Sequence, residues 1–239
     1  SSMSDVPAST GLGTSSSFTV GLVRLLSIKL GISMSQREIA KAAIEIERYK
    51  AGHSGGIQDQ FWAAHGGVGY YDFKTEAQSL KSAPMVLEQA LSANSYICYL
   101  GGQRSSSKIL DSRPKIKATE SLADGRNLLG RQACRFDELI STVDPESLNK
   151  EFSASLIESW TTKKMQIRLN DEIHDVLKEF EHLNVPFKLC GAGGTGFLYF
   201  FLPTDKIVLQ VTSIIKKYGW LLLKILPANK GVEVVYHDK

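Results

Sequence analysis

Between Pro7 and Ser17 the chain reads Pro-Ala-Ser-Thr-Gly-Leu-Gly-Thr-Ser-Ser-Ser. Glycines at 11 and 13, on either side of Leu12, let the backbone take positive φ and approach a ligand with no Cβ in the way. Thr14, Ser15 and Ser16 follow where helical periodicity begins. Unpaired amides and the positive end of the helix dipole face one way at such a start, which suits a phosphate. Serine hydroxyls in phosphate loops also ligate Mg²⁺. The same residues would serve as a Ser-rich linker or a simple N-cap, and no lysine follows as in a G-x-x-x-x-G-K-[ST] loop. Asp59 stands behind the glycines of the 52–56 run, where an aspartate on its own reads as a turn residue.

The elements that must hold these residues follow from period and caps. Phe18, Leu22, Leu25 and Leu26 recur at helical spacing and predict a helix over 16–30 with those residues as its apolar face. Ser35 and Glu38 have capping-box spacing. They open a second helix with Ile39, Ala42, Ala43 and Ile46 on one face, ending near Lys50. A short helix at 60–64 and a strand over 68–73 come next. Beyond residues 74–84, where two segments meet, the pattern predicts strands at 95–100, 185–190 and 197–202, and a strand pair from 221–226 and 232–236. Helices are expected at 122–140, 147–165, 171–183 and 205–218. Strands, then helices, then strands again predict an α+β sandwich.

Composition excludes several classes. The net charge of +3 carries no long basic run or aromatic–basic stripe, so no nucleic-acid or membrane-surface footprint is expected. Cys98, Cys134 and Cys190 are too scattered for a disulfide scaffold and form no CxxC pair. They read as reduced thiols of a cytoplasmic protein. The longest apolar runs, such as Trp220–Leu223, are far too short to span a bilayer. His53 reads as a loop residue or secondary contact, His174 and His182 as surface, His65 as a pocket residue or a bystander, and Trp62 and Trp160 as core.

Taken in order, three segments resemble the GHMP kinases, the superfamily of galactokinase, homoserine kinase, mevalonate kinase and phosphomevalonate kinase. Residues 7–16 are similar to the P-x-x-x-G-L-G-S-S-A phosphate motif, with Thr14 and Ser16 in place of its Ser and Ala. Gly56-Ile57-Gln58-Asp59-Gln60 is similar to G-[IV]-x-D-Q. Lys188 to Phe197 is similar to K-x-x-G-A-G-G-G-G, with Thr195 replacing a glycine. The resemblance implies binding of ATP by Gly11, Leu12, Gly13, Thr14, Ser15 and Ser16, and Mg²⁺ ligation by Ser15 and Glu47, with Glu45 the alternative. It implies Asp59 as catalytic base, and substrate contacts from Gly56, Gln58, Gly191, Ala192, Gly193 and Gly194. Chemically the set is coherent: a carboxylate can orient a hydroxyl and take its proton, and Mg²⁺ habitually takes few protein oxygens. Lys188 reads either as a direct contact or as a solvated surface residue.

Within the superfamily the chain most resembles the sugar anomeric kinases, those acting on D-glycero-D-manno-heptose 7-phosphate. The residues concerned are Ser4-Asp5-Val6-Pro7, Gln58 to Phe61 with Gly66-Gly67 behind, Arg104-Ser105-Ser106-Ser107, and Trp160 with Lys163-Lys164. The implied reaction is transfer of the γ-phosphate of ATP to the C1 hydroxyl of a sugar. Arg104 either binds the sugar's phosphate or forms a polar turn. Alternatives are another acceptor, such as fucose, galactose or a mevalonate-like alcohol, and a truncated non-catalytic binding module. The implied fold is a two-lobed α+β GHMP kinase: part of an N-terminal lobe with a left-handed βαβ unit over 1–78, then a ferredoxin-like α/β sandwich over 79–239. The resemblance covers nearly the whole chain but only part of the family, whose members carry further sequence before this point. The expected partner is a small-molecule sugar, and nothing indicates an oligomeric state.

Overall fold

The computed structural model describes residues 3–7, 10–72, 79–101, 128–135, 138, 144–167, 169, 171–191, 194 and 196–235. Arg104, Ala192, Gly193 and most of the helix expected over 122–140 lie outside them, although 128–135 is helical.

Helix α1 (Thr14–Lys29) follows Gly13, whose φ of 70° ends the loop in a left-handed turn. Helix α2 (Gln36–Ile44) opens on the expected capping box: Glu38 N–H donates to Ser35 Oγ, and Ser35 N–H donates to the Glu38 carboxylate at 2.8 Å. The helix continues from Glu45 to Lys50 as a π-helix. Such insertions widen one turn and are enriched at functional sites. Helix α3 (Gln58–His65) is longer than the expected 60–64. Strands β1 (Gly69–Asp72) and β2 (Ser79–Ser82) form a two-stranded antiparallel sheet, Gly69 opposite Ser82. Val20, Val23, Ile39, Ala40, Ala43, Ile44, Phe61 and Ala64 make one core among these three helices. No βαβ unit occurs here among the described residues.

The helix faces differ from expectation. Phe18, Leu22, Leu25 and Leu26 are exposed, and α1 instead buries Ser16, Thr19, Val20, Val23 and Ser27. Small side chains let α1 pack closely on α2 and α3, and hydroxyls bonded to their own helix can be buried there. Thr19 Oγ1 donates to the Ser15 carbonyl and Ser27 Oγ to that of Arg24. On the second helix Ile46 is exposed, and the buried face runs Ala40, Ala43, Ile44 and then Glu47. This i, i+3, i+4, i+7 series carries a carboxylate into the core edge.

Helix α4 (Met85–Asn94) leads directly into β3 (Ser95–Tyr99). Helices α5 (Pro145–Lys164) and α6 (Asp171–His182) precede β4 (Phe187–Leu189) and β5 (Phe197–Phe201). Helix α7 (Asp205–Lys217), capped by Thr204, precedes β6 (Leu222–Lys224). The sheet is fully antiparallel with spatial order β4-β5-β3-β6. Taken from β3 in chain order this is 2-3-1-4, the split βαββαβ arrangement of a ferredoxin-like sandwich. Phe180 of α6, Val211, Ile214 and Ile215 of α7 and Trp160 of α5 close the core over Phe187, Leu189, Leu198 and Phe200. β6 pairs with β3 and not with 232–236, whose described residues are not strand. Val232 packs instead on the core of the first helices. There Gly67 N–H donates to the Ala228 carbonyl at 2.6 Å. No described helix is long and apolar enough to cross a membrane.

Candidate functional site

Thr10, Gly11, Gly13, Thr14, Ser15 and Ser16 line a cavity of about 740 Å³ together with Glu47, Gly56, Gln58, Asp59 and Gly191. All described site candidates thus meet in one place except Leu12 and Gly194, which are not among its lining residues. Gly194 is buried and Leu12 half-buried.

The loop's geometry follows from its glycines. A Cβ on Gly11 (φ +89°) would lie 3.0 Å from the Cys190 carbonyl oxygen, and one on Gly191 (φ +61°) 2.6 Å from Gly11 Cα. The first glycine loop and the turn after β4 therefore touch backbone to backbone. Gly196 presses against the Thr10 carbonyl in the same way. Where α2, α5 and α7 have side-chain N-caps, Gly13 offers none to α1, and no acidic residue lies in its first turn. Its leading amides have no acceptor within the helix, the residues that carry them line the cavity, and Thr14 Oγ1 is buried without a partner among the described residues. Such an end favours an anion.

Glu47 ties α1 to the π-helical turn. Ser15 Oγ donates to Glu47 Oε1 at 2.6 Å, Ser16 Oγ to Oε2 at 2.9 Å and Gln60 Nε2 to Oε2 at 2.5 Å. Burial pushes this carboxyl's pKa up, but the three hydrogen bonds and the Arg48 charge outweigh it and hold it below its ordinary value. Glu45, the alternative, is exposed. Ser15 and Glu47 present adjacent hydroxyl and carboxylate oxygens at the cavity wall, a hard-oxygen pair of the kind Mg²⁺ accepts.

Asp59 sits in the first turn of α3, with its side-chain carbons about 3.5 Å from where a Gly13 Cβ would be. Its side chain keeps open surface toward the cavity. The surrounding protein still desolvates it and raises its pKa, with Glu47 adding to the rise and Arg48 and Gln58 opposing it. A carboxylate poised upward and facing open space can accept a proton from a bound hydroxyl.

Three cavity side chains were not singled out for a role by the sequence. Arg48 donates from Nε to the Gly56 carbonyl at 3.0 Å and from a terminal nitrogen to that of His53 at 3.3 Å, holding the loop before Asp59. Lys163, at the end of α5, donates to the Leu189 carbonyl at 2.5 Å and the Gly191 carbonyl at 2.7 Å, bracing the glycine turn. Tyr199 faces the cavity from β5 with its hydroxyl 2.9 Å from Ser95 Oγ, and burial pushes its pKa up to about 12. Strand alternation, Phe-Lys-Leu in β4 and Leu-Tyr-Phe in β5, was the available signal for the cavity face. It also corrects Lys188. This residue is half-buried, lines the cavity and donates to Ser159 Oγ at 2.5 Å. His53 lines the cavity, whereas His65 does not: its Nδ1 lies 3.0 Å from the Phe61 carbonyl and its ring packs on Tyr71. Trp160 is core, donating to Glu181.

Comparison with known proteins finds relatives along most of the chain. Residues 2–67 match the model of the GHMP kinases N terminal domain. The chain is 27% identical over 224 residues to a D-glycero-alpha-D-manno-heptose 7-phosphate kinase of Campylobacter jejuni, with 91% of this chain and 65% of the relative covered. A solved D-glycero-D-manno-heptose 1-phosphate kinase from Bacteriodes thetaiotaomicron superposes with a TM-score of 0.64 at 24% identity, covering 95% of this chain and 64% of that one. Lactococcus lactis galactokinase, solved with galactose, gives 0.63 at 16% identity over 95% of this chain and 68% of its own. The chain spans 65% of the length of the curated relative it matches. The chain is thus similar to the GHMP kinases: residues 2–67 match the model of their N-terminal domain, and its α+β fold resembles those of the solved kinases.

Proposed function

We propose that the chain is the phosphoryl-transfer part of an ATP- and Mg²⁺-dependent sugar kinase, acting on the C1 hydroxyl of D-glycero-D-manno-heptose 7-phosphate to give a sugar 1-phosphate. The observation that carries this reading is the convergence of an open helix N-terminus, the Ser15–Glu47 oxygen pair and Asp59 on one cavity wall. The heptose assignment rests on the curated relative. Residues 1–78 would form the nucleotide-binding lobe and 79–239 the second lobe, both in the cytoplasm.

Bound Mg–ATP would supply the phosphoryl group and the cation that offsets its charge. Gly11, Gly13 and the first amides of α1 would hold the phosphates, and Ser15 and Glu47 the cation. The unpartnered Thr14 hydroxyl fits a ligand with further acceptor oxygens. Asp59 would take the proton of the acceptor hydroxyl, while Gly56, Gln58 and Gly191 would shape the acceptor's seat. Asp59→Asn should lower kcat by about 10²–10⁴-fold, the usual worth of a general base, with nucleotide affinity retained. Full turnover by that variant would refute the role.

A further inference from the structure

Lys188 is a half-buried ammonium that, among the described residues, no carboxylate pairs; it donates to the neutral Ser159 hydroxyl. Burial lowers its pKa, as expected of a cation kept from water without a counter-charge. Lys188 lies opposite Tyr199 in the β4–β5 register, and both line the cavity. Gln166, just past the end of α5, lines the same cavity, and its Nε2 is buried with no hydrogen-bond partner among the described residues. Lys163 stands nearby: burial pushes the Cys190 thiol up to about 11 even though the Lys163 and Lys188 charges both draw it down. The carboxylates Glu47 and Asp59 feel Arg48 as their positive neighbour and neither lysine. The cavity is therefore two-ended: hydroxyl and carboxylate chemistry at α1 and α3, and at the β4 end the Lys188 ammonium, which no described carboxylate pairs, with the Gln166 amide donor.

We infer that Lys188 and Gln166 form a second phosphoryl-binding subsite, one that receives a phosphate monoester borne by the acceptor. The donor's phosphates already have α1, so the β4 end is left to the other reactant. This rests on the kinase reading for the identity of the two reactants, but the subsite itself is a matter of binding. A tetrahedral dianion would pair Lys188, satisfy Gln166 Nε2 and leave Lys163 bracing the glycine turn.

The test is calorimetric titration of the full chain with inorganic phosphate, heptose 7-phosphate, the unphosphorylated heptose and a non-hydrolysable Mg–ATP analogue. Lys188→Met should weaken heptose 7-phosphate and inorganic phosphate by about tenfold or more, the worth of one charge-assisted hydrogen bond. It should leave the nucleotide and the unphosphorylated sugar unchanged. Lys188→Arg should keep phosphate binding, and Gln166→Leu, which removes only the neutral donor, should give a smaller loss if the Met variant does not fold. Weakening of the nucleotide alone would assign Lys188 to the donor and overturn the inference. Unchanged sugar-phosphate binding in an active enzyme would overturn it too, with the kinase reading intact. Lys188-dependent phosphate binding without any nucleotide binding would uphold the subsite and sink the kinase reading.

Discussion

Glu47 accepts from Ser15, Ser16 and Gln60, and so decides where the start of α1 stands relative to the π-helical turn. Its pKa is depressed, so the stabilisation it gives is complete above its ordinary value of 4.5 and fades as pH falls through the lower folded value. Glu47→Ala strands two buried donors and should cost about 1–3 kcal/mol of stability as well as metal affinity, read by thermal melting with and without Mg²⁺. Arg48 acts on the other carboxylate. Its charge holds down a pKa that burial raises at Asp59, so Arg48→Gln should move the acid limb of kcat/KM to higher pH. An unmoved limb would mean that Asp59 is not the group titrating. Asp59 was singled out only through the resemblance carried by residues 56–60, since behind a glycine run it otherwise reads as a turn residue, and it does line the cavity. Arg48 was not, since a lone arginine on a helix carries no sign of the carbonyls it reaches.

At the scale of elements, two loops far apart in sequence make one surface because neither has side chains in the way. Gly191→Ala would place a methyl 2.6 Å from Gly11 Cα at a φ of +61°, a conformation that costs an ordinary residue about 1–2 kcal/mol before any clash. The expected result is a Tm only a few degrees lower but a much larger loss of turnover, since the phosphate loop must shift; equal effects on both would speak against direct loop coupling. The capping box of Ser35 with Glu38 and the strand expected at 197–202 were readable and behave as written. The stripe Phe18, Leu22, Leu25 and Leu26 was misread, because periodicity shows that a face is apolar without saying which face the neighbours cover. β2 and α4 escaped notice because 79–94 mixes short apolar groups with Ser and Ala, a pattern neither period claims. The partner of β6 was misassigned because proximity in the chain favours a hairpin, while the sheet places β6 beside β3.

Over the whole molecule, the cavity is walled by both halves of the chain: α1, the π-turn and α3 on one side, β4, β5 and the end of α5 on the other. A second tie joins them. Gly66 and Gly231 leave no room for a Cβ, because the Lys230 backbone and the Ala64 carbonyl stand where it would go. Gly231→Val should therefore loosen 228–232 and weaken protection of amides in α3 in hydrogen exchange, while amides of β3 and β5 keep theirs. Loss spread evenly over both regions would mean the tail contributes nothing local. The same tie sets an order of events during synthesis. Val232 completes the core formed by residues 20–64, and β3 waits for strands made about a hundred residues later. The phosphate loop emerges long before the segment that finishes the core behind it, so a ribosome that stalls before residue 228 leaves its apolar helices open to chaperones and proteases.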